Sequence, residues 1–170
     1  LAEHIAIRIA QAADLARLHP VIERAYRGDS ARRGWTHEAD LLSGERIDRH
    51  ALEALIADRQ SLLLIAERGP VPLGCVSLTA RGNGLVYLGL LCVDPEQQAG
   101  GIGKAIIAAA ERVSKERWHA DRIEMTVIDS RVELIAYYER RGFLRTGERR
   151  PFPVEVDPPL TMVVLEKALS

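Results

Sequence analysis

The chain has little cysteine, almost no net charge and no long apolar run, and each shortage excludes a class of protein. Two cysteines in 170 residues, Cys75 and Cys92, are too few for a disulfide framework. Both lie inside apolar runs that read as strands, so they are expected to be buried, reduced thiols of a cytoplasmic protein. Lys and Arg number 23 against 24 Asp and Glu, and the basic residues are spread along the chain. That balance lacks the basic footprint of a nucleic-acid binder, and no nucleic-acid partner is expected. No apolar run is long enough to span a membrane, so no membrane partner is expected either. The five histidines, His4, His19, His37, His50 and His119, show no metal-ligand spacing with one another or with the cysteines. No metal is therefore expected. The first ten residues carry charges inside their apolar stretch and do not read as a signal peptide. The chain begins at Leu1 rather than Met, which leaves room for a few residues ahead of it.

What remains is a globular composition, 47% hydrophobic and 28% charged, at a length that suits one domain over residues 1–170. A chain of this length buries about 70% of its unfolded surface and needs no staples. Residues 5–9 alternate apolar and polar, which predicts a first strand. Leu15, Leu18, Ile22, Ala25 and Tyr26 fall at helical spacing over residues 14–27, with Pro20 set to kink that helix or to restart it. Residues 28–47 look irregular or briefly helical. Residues 48–58 predict a second helix with Asp48 as its cap. Strands are expected at residues 61–67 and 73–79, then a hairpin turn at Arg81, Gly82, Asn83 and Gly84.

Residues 85–93 are apolar throughout, as suits a central strand buried on both faces, and Gly89 inside it points to a bulge or a close backbone approach. A helix is expected over residues 101–118 and a strand over 122–128. A second helix, capped by Asp129 or Ser130, should run to Arg141 and stop at Gly142. Strands at residues 143–148 and 160–165 close the chain, on either side of a proline-rich turn. Local hairpins with two strand-helix-strand passages predict a mixed α/β sheet with helices on its faces.

Chemistry concentrates between the central strand and the helix that follows it. Gln98, Ala99, Gly100, Gly101, Ile102 and Gly103 lead into that helix, whose first N–H groups have no partners within it. Glycine there lets a phosphate approach the backbone. A P-loop would need glycine at Gln98 and Ser or Thr at Ala105, and a dinucleotide fingerprint starting at Gly101 would need glycine at Ile106. Neither spacing is met.

Val93, Asp94 and Pro95, followed by Gln98, Gly101 and Gly103, closely resemble the acetyl-CoA motif of the GNAT superfamily of N-acetyltransferases. Tyr138, three residues, then Gly142 and Phe143 resemble the end of a helix in the same family. The two matches occur in the family's order, and the predicted elements agree along nearly the whole chain. One departure is Arg131, where many members carry Asn; the role of that Asn in holding the helix start and nearby cofactor would pass to Asp129 or Ser130.

The resemblance implies a mostly antiparallel sheet of six to seven strands and acetyl transfer to an amine in a ternary complex. Gln98, Ala99, Gly100, Gly101, Ile102, Gly103 and Lys104 would hold the pyrophosphate of acetyl-CoA. Leu91, Cys92 and Val93 would pair with the pantetheine arm, and the backbone N–H of Cys92 or Val93 would serve the oxyanion. Tyr138 matches the general acid, with core packing as its alternative role. Tyr137 points elsewhere on the helix and reads as packing. The strand at residues 85–93 offers no carboxylate as base. Glu124 and Asp129 are candidates, each also readable as a surface or capping residue, and a water chain is a third route. Substrate selection is expected from residues 25–46 and 149–159, with Trp35, Thr36 and Phe152 as contacts or as packing. The expected acceptor is the amine of a small molecule. A peptide or protein amine is the alternative, as is an acyl-CoA-binding sensor without turnover. The resemblance is compatible with a homodimer.

Overall fold

A computed structural model describes residues 4–32, 47–97, 101–153, 155 and 157–170, with backbone alone described for 27–32. Seven strands form one sheet in the order β1-β2-β3-β4-β5-β7-β6. They are β1 (Ala6–Ile9), β2 (Ser61–Arg68), β3 (Val71–Gly82), β4 (Leu85–Val93), β5 (Arg122–Ile128), β6 (Leu144–Pro151) and β7 (Thr161–Ala168). Every neighbouring pair is antiparallel except β4 and β5. The described helices are α1 (Leu15–Arg32), α2 (Arg49–Ala57), α3 (Ile102–Trp118) and α4 (Val132–Arg140).

Strand alternation divides the core in two. Leu64, Val76, Leu78, Val86, Ile123 and Met125 face the side covered by Ile102 and Ile106 of α3 and Ile135 of α4. Leu63, Ile65 and Cys75 face the other side, beneath Leu15, Leu18 and Ile22 of α1 and Leu52 of α2. The sheet thus carries helices on both faces. Among the described residues, no helix is long and apolar enough to cross a membrane.

Local signals account for much of this. Asp48 caps α2 by accepting from the Ala51 N–H at 2.7 Å, leaving one fewer donor of the first turn unpaired. Asn83 and Gly84 join β3 to β4 with φ of 55° and 79°, the left-handed pair that a two-residue hairpin turn requires. Pro20 lies within α1 without ending it, so the helix does not restart there.

One expectation is refined and two need correction. The bulge that Gly89 points to begins just after it, and a Cβ on Gly89 would itself stand 3.0 Å from the Tyr87 ring. Gly89 still pairs with Ser77, and the register then slips so that Cys92 pairs with Cys75. The left-handed residue is Leu90, at φ 50°. The slip puts Leu91 and Val93 on the α3 side and Cys92 on the α1 side. Second, β4 is not buried on both faces throughout: Val86, Leu88 and Cys92 are buried, while Tyr87 and residues 89–91 are only partly covered. Its β5 side opens after Tyr87, in keeping with the partial cover of residues 89–91. Third, neither Asp129 nor Ser130 caps α4. The Asp129 N–H is still engaged by the Thr161 carbonyl at 2.9 Å, so the chain turns only afterwards and Arg131 becomes the N-cap without a side-chain cap bond.

Candidate functional site at the parting of β4 and β5

β4 and β5 pair only at Leu85 with Arg122, Val86 with Ile123, and Tyr87 with Glu124. Beyond those positions β5 continues beside β7 as far as Ile128, and β4 continues beside β3 to Val93. The two central strands therefore part, and among the described residues no strand covers the β5 side of β4 from Leu88 onward. The Tyr87 and Thr126 hydroxyls bridge the strands just where they separate, 2.9 Å apart. Leu91, Cys92 and Val93 lie along this edge, which no described strand pairs on the β5 side.

The chain leaves β4 through a fixed corner. Asp94 is 3% exposed, and its N–H donates to the Leu73 carbonyl at 2.7 Å. Its carboxylate accepts from the Glu96 N–H at 3.0 Å and from the Arg24 guanidinium of α1 at 2.7 Å. Burial pushes the Asp94 carboxyl up, but Arg24 and the Glu96 N–H together outweigh burial and hold it below its ordinary range. Arg24 in turn is raised, chiefly by its hydrogen bond to Asp94. A short 3-10 turn, Pro95–Gln97, follows.

Gln98, Ala99 and Gly100, expected to line the phosphate turn, lie outside the described residues, as do Trp35 and Thr36. Gly101 is the N-cap of α3, at φ 74° and ψ 30°. Among the described residues, chain neighbours aside, no heavy atom stands within 4 Å of where its Cβ would be. The first α3 hydrogen bond runs from the Ala105 N–H to the Gly101 carbonyl at 3.0 Å, which leaves the N–H groups of Ile102, Gly103 and Lys104 without helical acceptors. Ile102 is buried and anchors this turn in the core, while Lys104 is exposed. The opening thus ends at a helix N-terminus whose first donors have no helical acceptors and whose dipole end is positive, an arrangement suited to an anion.

Tyr138 is buried on α4 in the same core cluster, edge-on to Phe143 at 6.2 Å between centroids. Its carbonyl accepts from the N–H of Arg141 and of Phe143, and Gly142 turns the chain out of the helix at φ 102°. The Tyr138-to-Phe143 pattern is thus a helix stop that fixes the tyrosine's backbone. Tyr137 packs between α4 and α3. Its hydroxyl reaches α3, 3.2 Å from the Cβ position of Gly103.

The two candidate bases are both engaged. Glu124, 6% exposed, accepts from two nitrogens of Arg150 at 3.1 and 3.2 Å, and Arg150 also donates to Glu148 at 2.7 Å. These partners raise the Arg150 guanidinium above its ordinary value, Glu148 most. Asp129 accepts from Arg149 at 3.0 Å, and Ser130 is exposed in the turn before α4. Glu124 is therefore neither a surface residue nor a cap but a buried ion-pair partner. Phe152 is half-buried just beyond β6. Cys75 and Cys92 are free, buried, and 3.5 Å apart; hydrogen bonding to Cys92 and burial push the Cys75 thiol well up. Sequence reasoning missed Arg24, whose partner lies far along the chain, and the reach of Tyr137.

The sequence model described as the acetyltransferase (GNAT) family matches residues 22–143, and the chain belongs to that family. A mycothiol acetyltransferase of Salinispora arenicola (strain CNS-205) is 42% identical over 62 residues, which are 36% of this chain and 20% of that protein. The match thus spans a fifth of that relative's length. Among solved structures, the ribosomal-protein-S18-alanine N-acetyltransferase from Escherichia coli superposes with a TM-score of 0.76 at 15% identity, over 98% of this chain and 95% of the other. PaiA N-acetyltransferase from Thermoplasma acidophilum, in complex with coenzyme A, gives 0.71 at 19% identity over 97% and 99%. Spermidine/spermine N-acetyltransferase SpeG from Vibrio cholerae gives 0.71 at 16% identity over 98% and 93%. At these identities the fold is what is shared. Their names pair that fold with a ribosomal-protein alanine and with polyamines, so the fold alone does not choose an acceptor.

Proposed function

We propose that the protein is an N-acetyltransferase that moves acetyl from acetyl-CoA to the primary amine of a small molecule, by direct transfer in a ternary complex. The observation that carries this reading is the parting of β4 from β5 beneath the open N-terminus of α3. The residues fit the donor. An open, left-handed Gly101 leaves room for a pyrophosphate, and the free edge of β4 offers main-chain groups to a chain laid along it. Acetyl-CoA supplies an acetyl thioester activated toward amines.

The backbone from Gln98 to Lys104 (Ala99, Gly100, Gly101, Ile102 and Gly103 between them) binds the pyrophosphate. Leu91, Cys92 and Val93 hold the pantetheine arm as an added strand would. The N–H of Cys92 or Val93 donates to the acetyl oxygen as negative charge develops on it. Tyr138 gives a proton to the departing sulfur. A thiolate of pKa about 8.5 is already a fair leaving group, so this proton assists the step rather than enabling it. An alkylammonium of pKa about 10.4 must first lose a proton to expose its lone pair. With Glu124 held by Arg150 and Asp129 by Arg149, a water chain carries that proton away. Trp35, Thr36 and Phe152 are the residues proposed to select the acceptor.

Thiol release from acetyl-CoA, followed across a panel of small amines and a peptide with a free N-terminus, tests the reading. Release is expected with at least one small amine, and Tyr138→Phe is expected to slow it by about ten- to a hundred-fold. Release with the peptide alone would replace the small-molecule acceptor. Binding without release for any amine would make the protein a sensor. An unchanged Tyr138→Phe rate would remove Tyr138 from the chemistry.

A further inference from the structure

Tyr137 sits beside the reactive tyrosine of α4, yet its hydroxyl ends at a different element. An ideal Cβ on Gly103 would stand 3.2 Å from that hydroxyl and 3.7 Å from Cγ2 of Val93. The oxygen therefore lies at the junction of the end of β4 with the first turn of α3. The ring is held on two sides. The Arg141 guanidinium lies over it at 4.9 Å from the centroid, and the Tyr138 ring meets it edge-on at 5.5 Å. Among the described residues no hydrogen-bond partner engages the hydroxyl. A half-buried phenol on a fixed ring is thus a donor aimed at one place.

Gly103 makes that placement possible. A side chain there would crowd the oxygen at a separation tighter than ordinary contact. The same turn carries the N–H groups left without helical acceptors, and the Arg141 cation stands close by. Donors and positive charge converge there, an arrangement suited to an anion.

We propose that the Tyr137 hydroxyl donates a hydrogen bond to a pyrophosphate oxygen of the acetyl donor, which makes Tyr137 a positioning residue for that group. The inference rests on the acetyl-CoA site proposed above. Tyr137→Phe removes the oxygen and keeps the ring in its contacts with Arg141 and Tyr138. The free variant is expected to melt at the wild-type temperature. Calorimetric titration with CoA is expected to give a dissociation constant about ten-fold weaker, the effect of one hydrogen bond to a charged oxygen. Phosphorus NMR of bound CoA reads the contact itself. The pyrophosphate resonances should differ between wild type and variant, while the 3′-phosphate resonance should not. A variant that binds CoA as tightly as wild type, with the same pyrophosphate resonances, overturns the proposal and leaves the site intact. Weaker binding with all three phosphorus resonances shifted alike also overturns it, because the hydroxyl then acts through general structure. If wild type itself binds no CoA, the site reading fails first and this inference with it.

Discussion

Asp14 shows how one side chain sets a pH response. Its carboxylate accepts from two nitrogens of Arg8 at 2.9 and 2.7 Å, from the Gln11 N–H at 2.8 Å, and from Arg17 at 3.1 Å. The Arg8 bonds prevail over burial and hold the carboxyl well below its ordinary range. A carboxyl depressed by folding stabilises fully above its unfolded value, about 3.9, and that contribution is lost as pH falls through the lower folded value. Arg8 is 42% exposed, so water screens the pair and keeps its contribution small. Asp14→Asn is expected to cost about 1.5 kcal/mol near neutral pH, with the gap to wild type closing as pH falls below about 4. Urea unfolding across the acid range measures this, and a gap that stays constant would remove ionisation as its source. At this scale the sequence was legible where a residue acts on its neighbours. Asp48 could be read as a cap and Gly101 as a helix start, because both effects are local. Leu90 could not be read as left-handed, since leucine carries no signal for that conformation. Nor could the reach of Tyr137, whose hydroxyl ends against another helix.

Between elements, the corner after β4 depends on α1. Asp94 is buried, and the Arg24 bond is its one side-chain partner among the hydrogen bonds described. Removing it would leave a buried carboxylate with the Glu96 N–H and little else. Arg24 is 44% exposed, which limits the cost. Arg24→Ala is expected to lower stability by about 1 kcal/mol and to weaken acetyl-CoA binding several-fold, by loosening the chain that enters the phosphate turn. Chemical denaturation and calorimetry check the two halves separately. Full stability with full affinity would show that the corner holds itself. Strand and helix bounds were read closely for β4, β5 and α2 because periodicity and caps are local signals. The start of α4 was misplaced because the Thr161 carbonyl, from β7, engages the Asp129 backbone. A distant strand delayed a helix that the local sequence would have begun earlier.

For the whole molecule, the sheet's order makes the site. β7 enters between β5 and β6, so β5 has a full partner on that side and can leave β4 after three paired positions. The sequence predicted a mixed sheet, but strand order across long separations has no local signature, and neither the insertion of β7 nor the parting of β4 from β5 could be read directly. The resemblance at Gln98 to Gly103 and at Tyr138 to Phe143 supplied the donor that composition could not. The central claim is that acetyl-CoA binds where β4 leaves β5, with its pyrophosphate on Gly101. Calorimetry with acetyl-CoA on wild type, Gly101→Ala and Gly101→Glu tests it most directly. Alanine brings the cost of a left-handed side chain alone, about 1–2 kcal/mol, and glutamate adds bulk and a repelling charge. Saturable binding to wild type, kept by alanine at some cost in stability and abolished by glutamate, is the predicted result. No binding to wild type at millimolar acetyl-CoA, or equal binding to the glutamate variant, would contradict the account.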